Sequence, residues 1–106
     1  DGRGTTIHFA TSSIPFHKEA LEMAAMGLIP AGAYRNRDFV AGRILADGID
    51  KRMMDILYDP QTSGGLVIAV SEKDAPRLER DLKDTIPCAA VIGYVTKREG
   101  AAIIVE

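Results

Sequence analysis

Apolar and polar positions alternate over residues 5–10, where β-branched and aromatic side chains are also found. This alternation predicts a strand with Ile7 and Phe9 facing the core. The polar residues 11–13 then offer N-cap side chains, and Pro15 suits the first turn of a helix. A helix is predicted from the apolar spacing that follows, with Gly27 as its left-handed cap: Leu21, Ala24, Ala25 and Leu28.

The next part of the chain is polar before it becomes apolar again. Residues 30–38 combine Pro, Gly and a polar run, and we expect a long connection there. Such connections are uncommon in small domains, which favours a functional loop or one covered by another part of the protein. Asp47 and Asp50 resemble a helix-capping pair. A second helix, ending before Pro60, is predicted from four apolar positions on one face: Ile49, Met53, Ile56 and Leu57.

The last third of the chain predicts three strands and one helix. Residues 66–70 are continuously apolar, which is typical of a central strand. Ser71 and Asp74 predict the start of a third helix, whose apolar face is Ala75, Leu78 and Leu82. Two further strands are expected at residues 90–95 and 101–105, joined by a connection of hairpin length whose Gly100 can take a positive φ.

The predicted order is therefore strand, helix, helix, strand, helix, strand, strand. Each helix has one apolar stripe to bury, so this order predicts an α/β (α+β) fold: a mixed sheet of about four strands with helices packed on it. A chain of 106 residues and 11.4 kDa is long enough for a single domain.

Composition narrows the classes of function. With 46% hydrophobic and 26% charged residues, the chain is typical of globular domains. Its net charge of -2 has the wrong sign for binding nucleic-acid phosphates or anionic lipid, so we expect no nucleic acid and no membrane as partner. One cysteine forms no internal disulfide, which favours a reducing, cytoplasmic location.

The densest polar segment is residues 59–65, between a predicted helix and a predicted strand. Glycine pairs let backbone N–H groups approach an anion, and hydroxyls can donate to its oxygens. However, a helix C-terminus leads into this segment, so the helix dipole works against an anion there. Two interpretations stay open, a structural turn and a loop next to a ligand or a second domain. The candidate residues are Asp59, Gln61, Thr62, Ser63, Gly64 and Gly65.

A second polar segment contains two guanidinium groups, an amide and a phenol. Such a set could hold a phosphate or carboxylate in bidentate fashion, although ordinary surface charges paired with Asp38 or with solvent explain it equally simply. Its candidate residues are Tyr34, Arg35, Asn36 and Arg37.

Other reactive side chains offer less. Cys88 lies beside Pro87 and small apolar residues with no neighbouring base, which predicts an inert, buried thiol. His8 and His17 have no Cys or acidic pair around them at metal-ligand spacing, so no metal site is expected. Four methionines lie at helical positions and are interpreted as core or domain-contact residues: Met23, Met26, Met53 and Met54.

Three motifs, in order, resemble the C-terminal half of the selenophosphate synthetase family, whose members are also called selenide, water dikinases. They are residues 20–30 (ALEMAAMGLIP), residues 32–37 (GAYRNR) and residues 58–70 (YDPQTSGGLVIAV), and the strand at residues 92–95 (IGYV) fits as well. The resemblance covers nearly the whole chain. It implies the C-terminal domain fold of the aminoimidazole ribonucleotide synthetase superfamily.

The family resemblance also implies an activity. Selenophosphate synthetases use ATP, selenide and water, with magnesium, to make selenophosphate, AMP and phosphate. In this superfamily an N-terminal half forms a homodimer and supplies most contacts to ATP and metal. Residues 1–106 are accordingly expected to be the C-terminal domain of a longer enzyme, and the chain begins without Met or signal-peptide features. Its expected partner is that N-terminal half, and the face covered by it should be unusually apolar.

The family's nucleophile, its lysine and its metal-binding aspartates lie upstream of the matched half. Cys88 therefore does not take the nucleophile's role, and we expect no catalytic residue, no metal ligand and no activity in the isolated chain. For the two polar segments the resemblance implies a phosphate-assisting, cleft-facing or domain-packing role. The alternative is a stand-alone binding or regulatory domain of the same fold without catalysis.

Overall fold

A mixed sheet of four strands is built around the first strand of the chain. The computed structural model describes residues 4–106. Residues 1–3, which include most of the segment expected to continue from an upstream part of the enzyme, lie outside the described residues. The strands are β1 (Thr5–Phe9), β2 (Ile44–Leu45), β3 (Gly93–Lys97) and β4 (Ile103–Val105), in the order β2-β4-β1-β3. β1 is antiparallel to β3 and parallel to β4, which is parallel to β2. The predicted α+β fold with a four-stranded mixed sheet is confirmed.

Four helices connect these strands: α1 (Lys18–Ala25), α2 (Ala31–Val40), α3 (Lys51–Leu57) and α4 (Ala75–Lys83). The helices α1 and α3 pack against each other. Gly27 follows α1 with a φ of 75°, as predicted for its cap. The predicted start of α1, at residues 11–15, is wrong. Residues 11–13 form a separate 3₁₀ turn, and the helix begins after His17.

The predicted capping residues lie next to α3 and α4, but both helices begin three residues later than predicted, after Asp50 instead of Asp47 and after Asp74 instead of Ser71. Asp50 accepts a hydrogen bond from the backbone N–H of Arg52 at 2.8 Å, which satisfies one of the free donors in the first turn of α3. Before α4, the Ser71 hydroxyl accepts from the Asp74 N–H at 3.2 Å and donates to the Asp74 carboxylate at 2.7 Å. Capping signals that are close in sequence thus identified where each helix lies, while the second residue of each pair, and not the first, directly precedes the helix.

The inward face of β1 is polar, so the predicted inward positions of Ile7 and Phe9 are wrong. Thr6 is fully buried and His8 is 5% exposed, whereas Ile7 is 37% exposed. The Thr6 hydroxyl donates to the Ala101 carbonyl at 2.6 Å and accepts from the Glu99 N–H at 2.8 Å. A buried polar group is tolerated when its hydrogen bonds are satisfied, and alternation alone does not reveal such distant partners.

β3 lies close to β1 at Gly93. Gly93 is paired with Phe9, and a Cβ at this position would collide with the His8 carbonyl oxygen and lie 3.2 Å from the Phe9 Cα. The two strands can therefore pair in this register only with glycine at position 93.

β3 and β4 do not form the expected hairpin. Gly100 does adopt a positive φ, of 85°, but β1 lies between the two strands and pairs with both. β3 also begins at Gly93 rather than at residue 90. The short connection limited the distance between the strands without excluding a third strand between them.

Residues 31–40 form α2 and not the long connection that the polar run predicted. Pro30 precedes the helix with extended backbone angles, its carbonyl accepts from the Ala33 N–H at 2.9 Å, and Ala33 is only 3% exposed. A single small buried residue anchors a helix that is otherwise solvated. The sequence therefore lacked the apolar stripe by which amphipathic helices are recognised.

The 66–70 segment is not the predicted central strand. It carries no strand pairing, and Leu66 is 89% exposed while Val67 is 72% exposed. The fourth position in the sheet is occupied by the short, unpredicted strand β2. A run of apolar residues indicates that the segment favours burial. It does not specify whether a sheet, a helix or another part of the protein covers it.

Within residues 4–106, no helix is long and apolar enough to cross a membrane.

Candidate functional site

The second polar segment lies on α2, so its side chains point in different directions. Arg35 and Arg37 are two positions apart, and residues at this spacing do not face each other on a helix. The Arg37 guanidinium lies 5.1 Å from the centre of the Tyr34 ring and donates to the Asp38 carboxylate at 3.3 Å. Bidentate capture of one anion by both guanidiniums is not supported by this arrangement.

Arg35 remains the available cation of this segment. In the part of the chain that the structure describes, its guanidinium has no ion pair or hydrogen bond. Its Nη2 lies 3.6 Å from the point where a Cβ on Gly32 would stand, so the side chain folds back towards the beginning of α2. The charge of Arg35 is therefore free for an external anion.

The 59–65 loop follows α3 and is exposed along its whole length. The Gln61 N–H donates to the Asp59 carbonyl at 3.0 Å. The Gln61 side chain folds over Gly64, because a Cβ there would lie 2.7 Å from Gln61 Oε1. Neither Gly64 nor Gly65 has a positive φ, so the backbone conformation does not require glycine at either position.

The hydroxyls of this loop are uncommitted. Among residues 4–106, the side chains of Thr62 and Ser63 make no hydrogen bond to the protein. Hydroxyl groups can donate or accept, so both can bind a polar ligand without first breaking an internal contact.

The structure joins the two polar segments at the beginning of the loop. The Asn36 side-chain amide on α2 donates to the Tyr58 carbonyl at 2.8 Å, at the end of α3. Pro60 packs against Gly32, where a Cβ would lie 2.7 Å from its Cγ. Arg35 lies near that same point, so the free guanidinium is next to the beginning of the 59–65 loop.

Sequence reasoning missed Lys51, the first residue of α3. The Lys51 ammonium donates to Asp55 at 2.9 Å, and this bond raises the lysine pKa, with a smaller contribution from nearby Tyr34 and an opposing one from Arg37. The Lys51 ammonium therefore stays protonated, and its charge is balanced by Asp55 on the same helix. The i, i+4 spacing of Lys51 and Asp55 was the available signal.

The same turn holds an unusually acidic carboxyl. Asp50 receives hydrogen bonds from the side chain and the backbone N–H of Arg52, and these lower its pKa to about 2. Asp50 and Arg52 thus neutralise each other near the candidate site. Lys51 and Asp55 form a second such pair, so among the described residues of these two helices Arg35 is the cation without an acidic partner.

A second polar group, here called the histidine cluster, surrounds His8. Its ring stacks on Tyr94 at 4.3 Å between centroids, and its two nitrogens lie near oxygens from different parts of the fold. The cluster consists of His8, Tyr94, Thr96, Glu99 and Glu106, with contacts of 3.1 Å to Thr96 and Glu106 and 3.3 Å to Glu99. No local pattern predicts this cluster, because the partners are 86 to 98 residues away from His8.

Electrostatics in the histidine cluster support a role in the fold. The Tyr94 hydroxyl donates to Glu106 at 2.7 Å, which lowers the pKa of the Glu106 carboxyl and raises that of the Tyr94 phenol. His8 also contributes to the lowered pKa of Glu106. Because the His8 ring is almost fully buried between strands, it cannot contact a substrate from solvent.

Cys88 is exposed, so its predicted burial is wrong. It lies in a turn with Pro87, five residues before β3 begins, and not next to a buried strand. Among residues 4–106 no basic side chain forms a hydrogen bond with the Cys88 thiol, and Cys88 lies outside the candidate site. Within residues 4–106, no three His, Cys, Asp or Glu side chains are arranged to hold a metal ion.

The candidate site therefore combines two free hydroxyls, a free guanidinium and an anchored loop. No protein-family model matches the chain. It is 43% identical over 105 residues to selenide, water dikinase 2 of Peptoclostridium acidaminophilum. It is also 47% identical over 106 residues to the selenide, water dikinase of Pelobacter propionicus and 42% identical over 103 residues to that of Treponema denticola.

These alignments cover 92% to 98% of this chain but only 29% to 30% of each relative. The chain thus spans about three tenths of the length of the relatives that it matches. The similarity includes the segments that carry the candidate site. By this similarity the chain belongs to the selenide, water dikinase family and corresponds to one domain of its members.

Proposed function

We propose that residues 1–106 act as the C-terminal domain of a selenide, water dikinase. Such an enzyme is a phosphotransferase that converts ATP, selenide and water into selenophosphate, AMP and phosphate. The observation that carries the proposal is the similarity of nearly the whole chain to several proteins named selenide, water dikinase. The free cation and hydroxyls at the candidate site support it, because each substrate and product phosphate is an anion.

The remaining seven tenths of the enzyme supply most of the chemistry in this proposal. A homodimeric N-terminal half would bind ATP and magnesium and carry the nucleophile, and the cytoplasm would provide ATP. Among residues 4–106 no three His, Cys, Asp or Glu side chains are grouped to hold a metal ion, and the proposal assigns magnesium binding to the N-terminal half. The roles proposed below for residues of this domain therefore do not involve the metal ion.

Arg35 has the most direct role in the proposed mechanism. A guanidinium held in place before the reaction stabilises an oxyanion that gains charge during phosphoryl transfer. Thr62 and Ser63 orient the same group by hydrogen bonds. They do not attack it, because no His or Lys beside them in the sequence activates their hydroxyls.

The test is a domain exchange in selenide, water dikinase 2 of Peptoclostridium acidaminophilum. Residues 1–106 replace the matching segment, and AMP release is measured with ATP, magnesium and selenide. We expect selenide-dependent AMP release from the hybrid enzyme and none from the isolated chain. A well-folded hybrid without activity, or turnover by the isolated chain, would contradict the proposal.

Arg35→Ala in the hybrid should lower kcat roughly a hundredfold, since one preorganised donor to a developing oxyanion has an effect of this size. Arg37→Ala is the matched control and should change kcat much less, because Arg37 is engaged by Asp38 and Tyr34. Steady-state kinetics of AMP formation make the comparison. Equal effects of the two substitutions would show that Arg35 has no special role.

A further inference from the structure

Asn36 forms the more specific of two contacts between α2 and the 59–65 loop. Its amide donates at 2.8 Å to the carbonyl of Tyr58, the residue that caps the end of α3. Carbonyls in the last turn of a helix have no partner within the helix. Asn36 therefore ties α2 to the residue directly before the loop.

Gly32 forms the second contact, through its lack of a side chain. A Cβ at position 32 would lie 2.7 Å from Pro60 Cγ and 3.2 Å from Pro60 Cβ. Its φ is not positive, so the backbone conformation does not require glycine here. Pro60 has a ring with a fixed φ and cannot rotate away as a flexible side chain would.

These two contacts define where the loop begins relative to Arg35. The Arg35 Nη2 and the Pro60 ring both lie within 4 Å of the same point above Gly32. The first residues of the loop are thus held next to the free guanidinium, while Thr62 and Ser63 continue from there into solvent.

From this geometry we infer that Asn36 and Gly32 are positioning residues, which hold the 59–65 loop in register with Arg35 for phosphoryl transfer. The inference rests on the proposed function. It assigns to Asn36 a positioning role where the sequence suggested a ligand contact, since one N–H of its amide donates to the Tyr58 carbonyl. Asn36 and Tyr58 are both accessible to water, so losing this bond should displace the loop without unfolding the domain.

The first experiment examines the loop in the isolated chain by NMR. Asn36→Ala should move the Tyr58 carbonyl ¹³C resonance and lower the amide order parameters of Asp59 and of residues 61–65, with an unchanged urea midpoint. Gly32→Ala should lower the same order parameters even though alanine favours the helix. Asp81→Asn on exposed α4 is the control and should leave the loop unchanged.

The second experiment measures kcat and KM for ATP in the hybrid enzyme. A displacement of about 1 Å can reduce a rate by up to a hundredfold, so Asn36→Ala and Gly32→Ala should each lower kcat roughly ten- to a hundredfold. Asn36→Gln retains an amide donor and should recover part of that loss. A purely structural role would instead lower the urea midpoint and leave kcat per folded molecule unchanged.

Unchanged loop dynamics in both variants would overturn the inference. A more mobile loop with unchanged kcat would also overturn it, since the contact would then hold the loop without serving the reaction. Inactivity of the hybrid that carries the original residues 1–106 contradicts the proposed function instead. The NMR measurements on the isolated chain still show whether Asn36 and Gly32 hold the loop.

Discussion

Gly93 is the residue at which the sheet has least room for a side chain. Gly93→Ala would place a Cβ against the His8 carbonyl and force β1 and β3 apart. We expect it to lower the free energy of unfolding by about 3 kcal/mol or more, at the upper end of overpacking effects. Gly65→Ala is the matched control, because a Cβ there meets nothing within 4 Å. Urea unfolding of both variants gives the comparison, and similar midpoints would contradict the steric argument.

Glu106 should make the stability of the domain depend on pH on the acid side. Its folded pKa is lowered, chiefly by the Tyr94 hydroxyl, from a usual value of 4.5. Its stabilising contribution is therefore complete above that value and is lost as pH falls through the lower, folded pKa.

Glu106→Gln removes this ionisation and keeps an oxygen that can accept from Tyr94. The decline in urea midpoint between about pH 5 and pH 3 should be shallower in this variant than in the original chain. Glu72→Gln, on an exposed side chain before α4, should decline like the original chain. Identical profiles for all three proteins would show that Glu106 is not linked to folding.

At the level of whole elements, local signals identified most of the helices. The caps of α3 and α4 and the turn at Gly27 depend on residues within a few positions of each other. The elements that escaped prediction depend on distant contacts. α2 is anchored mainly by buried Ala33, and β2 is two residues that pair with β4 about 60 positions later.

The candidate site shows the same division. Its residue types could be identified in the sequence, because hydroxyls, guanidiniums and glycines are visible there. Its geometry could not, because Asn36 and Tyr58 are 22 residues apart and the polar run of α2 is typical of a loop. On the helix, Arg37 contacts Asp38 and Tyr34 whereas Arg35 lies near Gly32. The linear sequence does not distinguish these two arginines.

The cap of α3 allows a test at this scale. Asp50→Ala removes both the bond to the Arg52 N–H and the ion pair with its guanidinium, whereas Asp50→Asn keeps a good capping side chain. Asp50→Ala should lower helix content and the urea midpoint more than Asp50→Asn at pH 7. Because the Asp50 pKa is about 2, the original cap should remain intact at pH 4. Circular dichroism and urea unfolding measure both effects, and equal loss in the two variants would assign the effect to the ion pair alone.

For the whole molecule, the main feature is the amount of apolar surface left in contact with water. Leu66, Val67 and Ile68 are each more than half exposed, as are Met23 and Met26 on and after α1. Monomeric domains rarely leave long apolar segments uncovered, and such segments usually mark contact surfaces. The uncovered segment is consistent with the expected apolar face towards the rest of the enzyme.

This exposure predicts self-association of the isolated chain. Light scattering should show an average mass that rises with protein concentration, and Val67→Lys should reduce that rise. Thr85→Lys adds the same charge at an exposed position after α4 and serves as the control. A concentration-independent monomer mass for the original chain would contradict the prediction.

The position of β1 between β3 and β4 affects how the chain can fold during synthesis. Within residues 4–106, β1 is the first of the four strands and its neighbours β3 and β4 are the last two, so that Phe9 pairs with Val105 across 96 positions. Closing so long a loop must precede any pairing, and contacts of this separation form slowly. During synthesis β1 therefore stays without its two partner strands until residues 93–105 have been added, and a chain that stops before β3 has neither partner for β1.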